Sequence, residues 1–86
     1  MQYTVYYWKD PNIIRQIFLE GINPTPETLL NTHIELGPFE APNIEDLSPK
    51  IINTIQPFHT SIQVGDVVKD GEAAYFIRDI WGYTKI

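Results

Sequence analysis

The chain has 86 residues, a net charge of −5 and no cysteine. This length suits one domain spanning residues 1–86, and the missing cysteines exclude disulfides and thiolate metal sites. The acidic balance, with basic residues scattered along the chain, disfavours nucleic acid as a partner. No apolar run is long enough to predict a membrane span, and no secretory leader opens the chain, so we expect a cytoplasmic protein.

The first part of the chain predicts a strand and two helices. Gln2 to Trp8 alternates aromatic and β-branched residues on both faces, which predicts a strand covered on both sides. Asp10 and Pro11 form a helix start, with Asp10 as the cap, and Gly21 is typical of a left-handed stop. Thr25-Pro26 repeats the start signal and predicts a short second helix.

The middle of the chain predicts another strand and a third helical region. His33 to Ala41 reads as a strand, and Gly37-Pro38 within it indicates an edge position or a bulge. Asn43 to Gln56 admits two interpretations. It is either one kinked helix or a turn followed by a helix from Pro49 to Gln56.

The last third predicts an antiparallel hairpin. Ile62–Val68 and Ala73–Trp81 are its strands, joined at Lys69–Gly71, where Asp70-Gly71 tolerates positive φ. A short last strand follows, from Tyr83 to Ile86. The element order predicts an α+β fold, with an antiparallel or mixed sheet of about three to five strands and about two or three short helices on one face.

The apolar positions of these elements predict the core. Its expected members are Val5, Ile14, Ile17, Phe18, Leu29, Leu30, Ile34, Ile51, Ile55, Val64, Val67, Tyr75 and Ile77. Val64 and Val67 share a face of their strand only if Gly65 introduces a bulge.

The motif Val64-Gly65-Asp66-Val67 predicts a structural role. Gly65 permits a bulge or close backbone approach, and Asp66 can bond local backbone N–H groups. His33 and His59 lack metal-ligand spacing, so we expect surface or turn histidines, no metal and no cofactor.

A possible interaction surface lies near the two ends of the chain. Trp8, Trp81 and Tyr83 are candidates because interfaces are enriched in Trp and Tyr, and Asp10 and Asp79 would add charge beside them. The rings of Tyr6, Trp8, Trp81 and Tyr83 have two interpretations. They close the core of this small domain, which is the interpretation we favour, or they stay exposed and bind a protein partner or pair subunits as a homodimer.

Three segments resemble a family of small YodL-like proteins from bacterial mobile elements such as phages and plasmids. They are Tyr3–Trp8, Ala41–Leu47 and the C-terminal block with Thr60–Val68, Asp70-Gly71, Tyr75 and Trp81-Gly82-Tyr83. The chain departs from the family at Gln63, where serine is usual, and at Ser48-Pro49, where a continuous helix is expected. The family has no established activity, so the resemblance implies a genomic setting and no mechanism.

The sequence alone does not identify a function, and three classes remain open. We predict a non-enzymatic protein-binding or regulatory protein of a mobile genetic element. The alternatives are a single-stranded nucleic-acid binder that uses sheet aromatics, and a small nuclease-like enzyme. Such an enzyme would need a base, an acid and a phosphate-binding cation in one cleft. The available side chains are Arg15, Arg78, His33 and His59, and no spacing among them indicates a cleft.

Overall fold

The computed structural model describes residues 1–54 and 56–86. Within these residues, five strands form one antiparallel sheet in the order β2-β1-β3-β4-β5. The strands are β1 (Gln2–Trp8), β2 (His33–Glu40), β3 (Val67–Lys69), β4 (Tyr75–Arg78) and β5 (Tyr83–Lys85). The helices are α1 (Pro11–Phe18), α2 (Leu29–Thr32), a 3-10 helix (Ile44–Asp46) and α3 (Pro49–Ile52). The α+β class and the strand-rich C-terminal end are confirmed.

The sheet is covered on both faces, not on one as predicted. Tyr6 and Trp8 of β1 pack with Ile13 and Ile17 of α1, and this side is called the α1 face. On the other side, Tyr3, Val5 and Tyr7 pack with Ile52 of α3, and this side is called the α3 face. The cause is that β1 carries apolar side chains on both faces. Each face is removed from water only when another element packs against it.

Strand β2 lies at an edge of the sheet and carries a bulge, as the sequence predicts. Tyr3 pairs with Phe39, whereas Val5 pairs with Leu36, so one residue of β1 faces two of β2. The two residues opposite Thr4 are Gly37-Pro38, which cannot continue a regular ladder.

The first helix begins as predicted, while the others are shorter. The Asn12 N–H donates to Oδ1 of Asp10 at 2.8 Å, which caps α1, and Gly21 has φ +68°. Helix α2 begins at Leu29, not at Thr25-Pro26, whose segment forms a turn instead. No helix among the described residues is long and apolar enough to cross a bilayer.

The third helical region follows the second of the two interpretations. Asn43 caps the 3-10 helix with its side chain, and α3 begins separately at Pro49. It ends after Ile52, four residues before the predicted end at Gln56, where Asn53 adopts a left-handed φ of 42°.

The β3–β4 hairpin is confirmed, with shorter strands than predicted. No helix occurs between residues 62 and 81, but the segment 62–66 is a turn region and not strand. The positive φ in the connection falls on Ala73, at 65°, and not on Asp70-Gly71. Oδ1 of Asp70 accepts hydrogen bonds from the N–H groups of Glu72 and Ala74, which holds the chain in this wider turn.

The predicted core is partly confirmed. Its buried members are Val5, Ile17, Leu29, Val67 and Ile77, and its half-buried members are Ile14, Ile34, Ile51, Val64 and Tyr75. Phe18 and Leu30 were wrongly included, since they are 41% and 59% exposed. Phe18 ends α1, and a single-turn α2 can direct only one leucine to the sheet. Ile55 lies outside the described residues.

Leu29 and Leu30 offer a matched test of this packing. Leu29 is 1% exposed, so Leu29→Ala should lower the free energy of unfolding by about 2–5 kcal/mol. Leu30→Ala in the same helix should change it by less than about 0.5 kcal/mol. Urea unfolding of both variants, followed by circular dichroism, measures the difference. Equal losses would contradict the placement of α2.

Candidate functional site

Asp66 is a fully buried carboxylate that joins separate parts of the chain. Its Oδ2 accepts a hydrogen bond from the Gln63 N–H at 2.7 Å, which is the local bond that the motif predicts. Its Oδ1 accepts another from the Trp8 N–H at 2.9 Å, at the end of β1. Gly65 has φ +95°, a conformation that favours glycine and turns the carboxylate's segment toward β1.

His59 lies in a turn, as one of the two expected positions has it, but it is buried against this carboxylate and not at the surface. Its Nε2 lies 2.9 Å from Oδ1 of Asp66, and its Nδ1 lies 3.2 Å from the Pro57 carbonyl oxygen. The ring stacks on Tyr7 at 4.2 Å between centroids. Because both ring nitrogens face acceptors, the His59–Asp66 pair holds a proton either on Nε2 of His59 or on the carboxyl group.

His33 is also fully buried, again against expectation. Its Nε2 donates to the Gly65 carbonyl oxygen at 2.8 Å, and its Nδ1 lies 2.7 Å from Oγ1 of Thr32. This arrangement suits a neutral ring, and burial lowers the pKa of His33. Both imidazoles are buried and all four of their ring nitrogens have hydrogen-bond partners. No three His, Asp or Glu side chains in the described part of the chain come together as metal ligands.

Trp8 belongs to the core, which is the favoured interpretation of this ring, and not to an exposed interaction surface. It is 4% exposed, and its Nε1–H donates to the Val64 carbonyl oxygen at 3.2 Å. It is buried because the α1 face of β1 is covered. Asp10 is exposed, but its carboxylate caps α1 on that same side of the sheet. Tyr6 is likewise 4% exposed, so these two β1 rings offer no open platform for stacking bases.

The turn between β4 and β5 carries the most exposed aromatic residue. Trp81 is 94% exposed and Ile80 is 71% exposed. Asp79 fixes this turn, since its Oδ1 accepts from the Trp81 N–H at 2.8 Å and its N–H donates to the Gly82 carbonyl oxygen at 2.7 Å. The hydroxyl of Thr84 donates to Oδ2 of Asp79, and this bond is the main reason why the pKa of Asp79 is lowered. Residues 79–82 are called the Trp81 turn.

Tyr83 follows the Trp81 turn and lies on the α3 face of the sheet. The ring is half-buried, and the Arg78 guanidinium carbon lies 5.4 Å from its centroid. Burial raises the pKa of Tyr83 to about 12. The three C-terminal candidates therefore differ: Trp81 is exposed, Tyr83 is half-buried, and the carboxylate of Asp79 is occupied within the turn.

A groove on the α3 face is a second feature of this region. Two cavities of about 390 and 300 Å³ both have Glu45 and Tyr83 in their walls, and together they are called the sheet groove. The larger cavity is also lined by Tyr3, Asp70 and Phe76. Aromatic rings beside carboxylates suit a cation.

Sequence reasoning did not find this groove. The alternation of side chains along β4 indicates part of the groove, because it places Phe76 on the face opposite Ile77. Glu45 reaches the groove only through the packing of the 3-10 helix.

The comparisons with known proteins give no relative. No protein-family model, curated protein or solved structure matches the chain. The resemblance to YodL-like proteins therefore stays a prediction.

The buried Asp66 predicts a specific pH dependence. Burial raises the pKa of Asp66 from 3.8 to about 6, against the opposing effect of its hydrogen bonds. A folded-state pKa above the unfolded one means that protonation of Asp66 stabilises the fold. This contribution is complete below about pH 4 and is lost as the pH rises through about 6.

Urea unfolding of the natural protein and of Asp66→Asn between pH 4 and pH 7 tests this prediction. Subtracting the free energy of unfolding of the variant from that of the natural protein cancels the contribution of the other carboxylates. The difference in free energy of unfolding should fall with rising pH, by on the order of 1–3 kcal/mol. A difference that rises instead would show that the fold stabilises the ionised form of Asp66.

Proposed function

We propose that the protein is a non-enzymatic binding protein that engages a basic protein partner through the Trp81 turn. The observation that carries the proposal is the 94% exposure of Trp81 on a turn held by Asp79. An indole in water gains much free energy when a partner buries it, and a fixed turn loses little entropy on binding. Such residues dominate the binding energy of many interfaces.

Apolar surface beside the turn supports the same proposal. Phe18 at the end of α1 lines one cavity together with Asp79 and Thr84, and it is 41% exposed. Ile80, which follows Asp79, is 71% exposed. Exposed apolar groups that gather in one region are typical of protein-binding sites.

The charge of the chain supports a basic partner. The net charge is −5, so a basic protein is attracted over a distance and an acidic one is repelled. Association with a basic partner should accordingly slow as salt is added. The resemblance of the chain to proteins of phages and plasmids supports a regulatory role in a mobile genetic element, directed at a host protein.

The test is a comparison of variants in binding to proteins of the native host. A bait with Trp81→Ala should lose a protein that the natural bait captures, because the main contact ring is gone. Leu30→Ala is the matched control, since Leu30 is equally apolar and 59% exposed but lies on α2. Calorimetry with the purified partner should then give an affinity at least about tenfold weaker for Trp81→Ala and unchanged for Leu30→Ala.

Two results would contradict the proposal. One is a partner whose affinity is the same for the natural protein and Trp81→Ala. The other is self-association of the natural protein in sedimentation experiments that Trp81→Ala abolishes, because the turn would then pair two copies. Circular dichroism of each variant confirms that the fold is retained.

A further inference from the structure

Tyr3 is a largely buried residue whose hydroxyl forms no hydrogen bond with the described part of the fold. Tyr3 is 5% exposed, and its hydroxyl has no hydrogen-bond partner among the described residues. Every fully enclosed side-chain oxygen or nitrogen in that part of the chain has a partner, so this hydroxyl keeps an opening to the sheet groove. A phenol oxygen that opens to a cavity is suited to accept a hydrogen bond from a ligand.

Two acidic residues, Glu45 and Asp70, line the same cavity as Tyr3. Burial first, and then the charges of Asp70 and Glu45, raise the pKa of Tyr3. Oδ1 of Asp70 is occupied by backbone N–H groups, whereas Oδ2 has no bond within the described residues. The nearby N-terminal ammonium is already paired with Glu40 at 2.6 Å. The larger cavity of the sheet groove is therefore negative, with acceptors that remain available.

The aromatic side of the groove narrows the choice of cation. Phe76 and Tyr83 line the cavity with flat rings. The guanidinium carbon of Arg78 lies 5.4 Å from the centroid of Tyr83, so a ring of this region already contacts one guanidinium group. A guanidinium can stack on a ring and still donate in its plane to carboxylate and phenol oxygens. An ammonium group is not flat, so it cannot stack on a ring in this way while it donates to the oxygens.

We propose that the sheet groove binds an arginine side chain of the basic partner, with the guanidinium donating to Glu45, Asp70 and the Tyr3 hydroxyl. This inference rests on the proposed function for the origin of the arginine. The occupant follows from charge complementarity between a cation and the two carboxylates, and from the cavity volume of about 390 Å³, which suits one side chain.

The experiment uses the full chain, labelled with ¹⁵N, and two small probes in an NMR titration. Nα-acetyl-arginine amide should cause saturable shifts at the amides of Glu45, Asp70, Phe76 and Tyr83. Nα-acetyl-citrulline amide has the same shape without the charge, and it should bind at least about tenfold more weakly, because charge-assisted hydrogen bonds are lost. Nα-acetyl-lysine amide should also bind more weakly than the arginine probe.

Variants identify the contacts. Glu45→Gln should weaken the binding of the arginine probe about three- to fivefold, as expected for the loss of an exposed ion pair. Tyr3→Phe should weaken it as well, since one acceptor is lost. Glu20→Gln, at an exposed carboxylate beyond the end of α1, should leave the affinity unchanged. The spectra report directly whether each variant is folded.

Several outcomes would overturn the proposal. They are shifts that do not saturate, shifts centred on the Trp81 turn, equal binding of the citrulline probe, and an affinity that Glu45→Gln leaves unchanged. Shifts of the groove amides on concentrating the protein without a probe would instead assign the groove to a second copy. Because the titration contains no partner protein, its failure leaves the Trp81 result intact, and a failed Trp81 test leaves the titration intact.

Discussion

The carboxylate of Asp66 ties the end of β1 to the segment 59–66, which is more than 50 residues away in the sequence. It accepts N–H groups from Trp8 at the end of β1 and from Gln63 before β3, and it holds the ring of His59. A buried carboxylate is stable only when such partners are present, so this end of the sheet forms as a unit. His59 then packs between Tyr7 and Trp8, and the loop that carries it closes over β1.

The two-sided burial of β1 determines where free surface remains. Its aromatic residues are enclosed by α1 on one face and by α3 on the other, which removes Tyr6 and Trp8 from contact with partners. The helices α1 and α3 pack against β1, near the β2 edge of the sheet, and β5 forms the opposite edge. The Trp81 turn and the sheet groove both lie along β4 and β5, because fewer elements cover these strands.

The two features of this region differ in chemistry. The Trp81 turn offers apolar area on a fixed backbone, whereas the sheet groove offers rings and carboxylates in a concavity. Tyr83 connects them, since it follows the turn and lines the groove. A partner with one apolar contact and one basic side chain would fit both, which agrees with the acidic charge of the chain.

Local patterns in the sequence determined the fold class, the two-sided strand β1, the cap of α1, the bulge in β2 and the C-terminal hairpin. These depend on neighbouring residues, so alternation, proline and glycine are sufficient signals. The sequence also identified Asp66 and Trp81 as notable residues, but it left two interpretations open for Trp8 and did not indicate that both histidines are buried. Only the tertiary structure decided these points, because burial depends on which segments cover a residue. The bond from Trp8 to Asp66 spans 58 residues, and the groove needs Tyr3, Glu45 and Phe76 from three distant elements. No local sequence pattern predicts such tertiary contacts, since they result from packing of the whole chain.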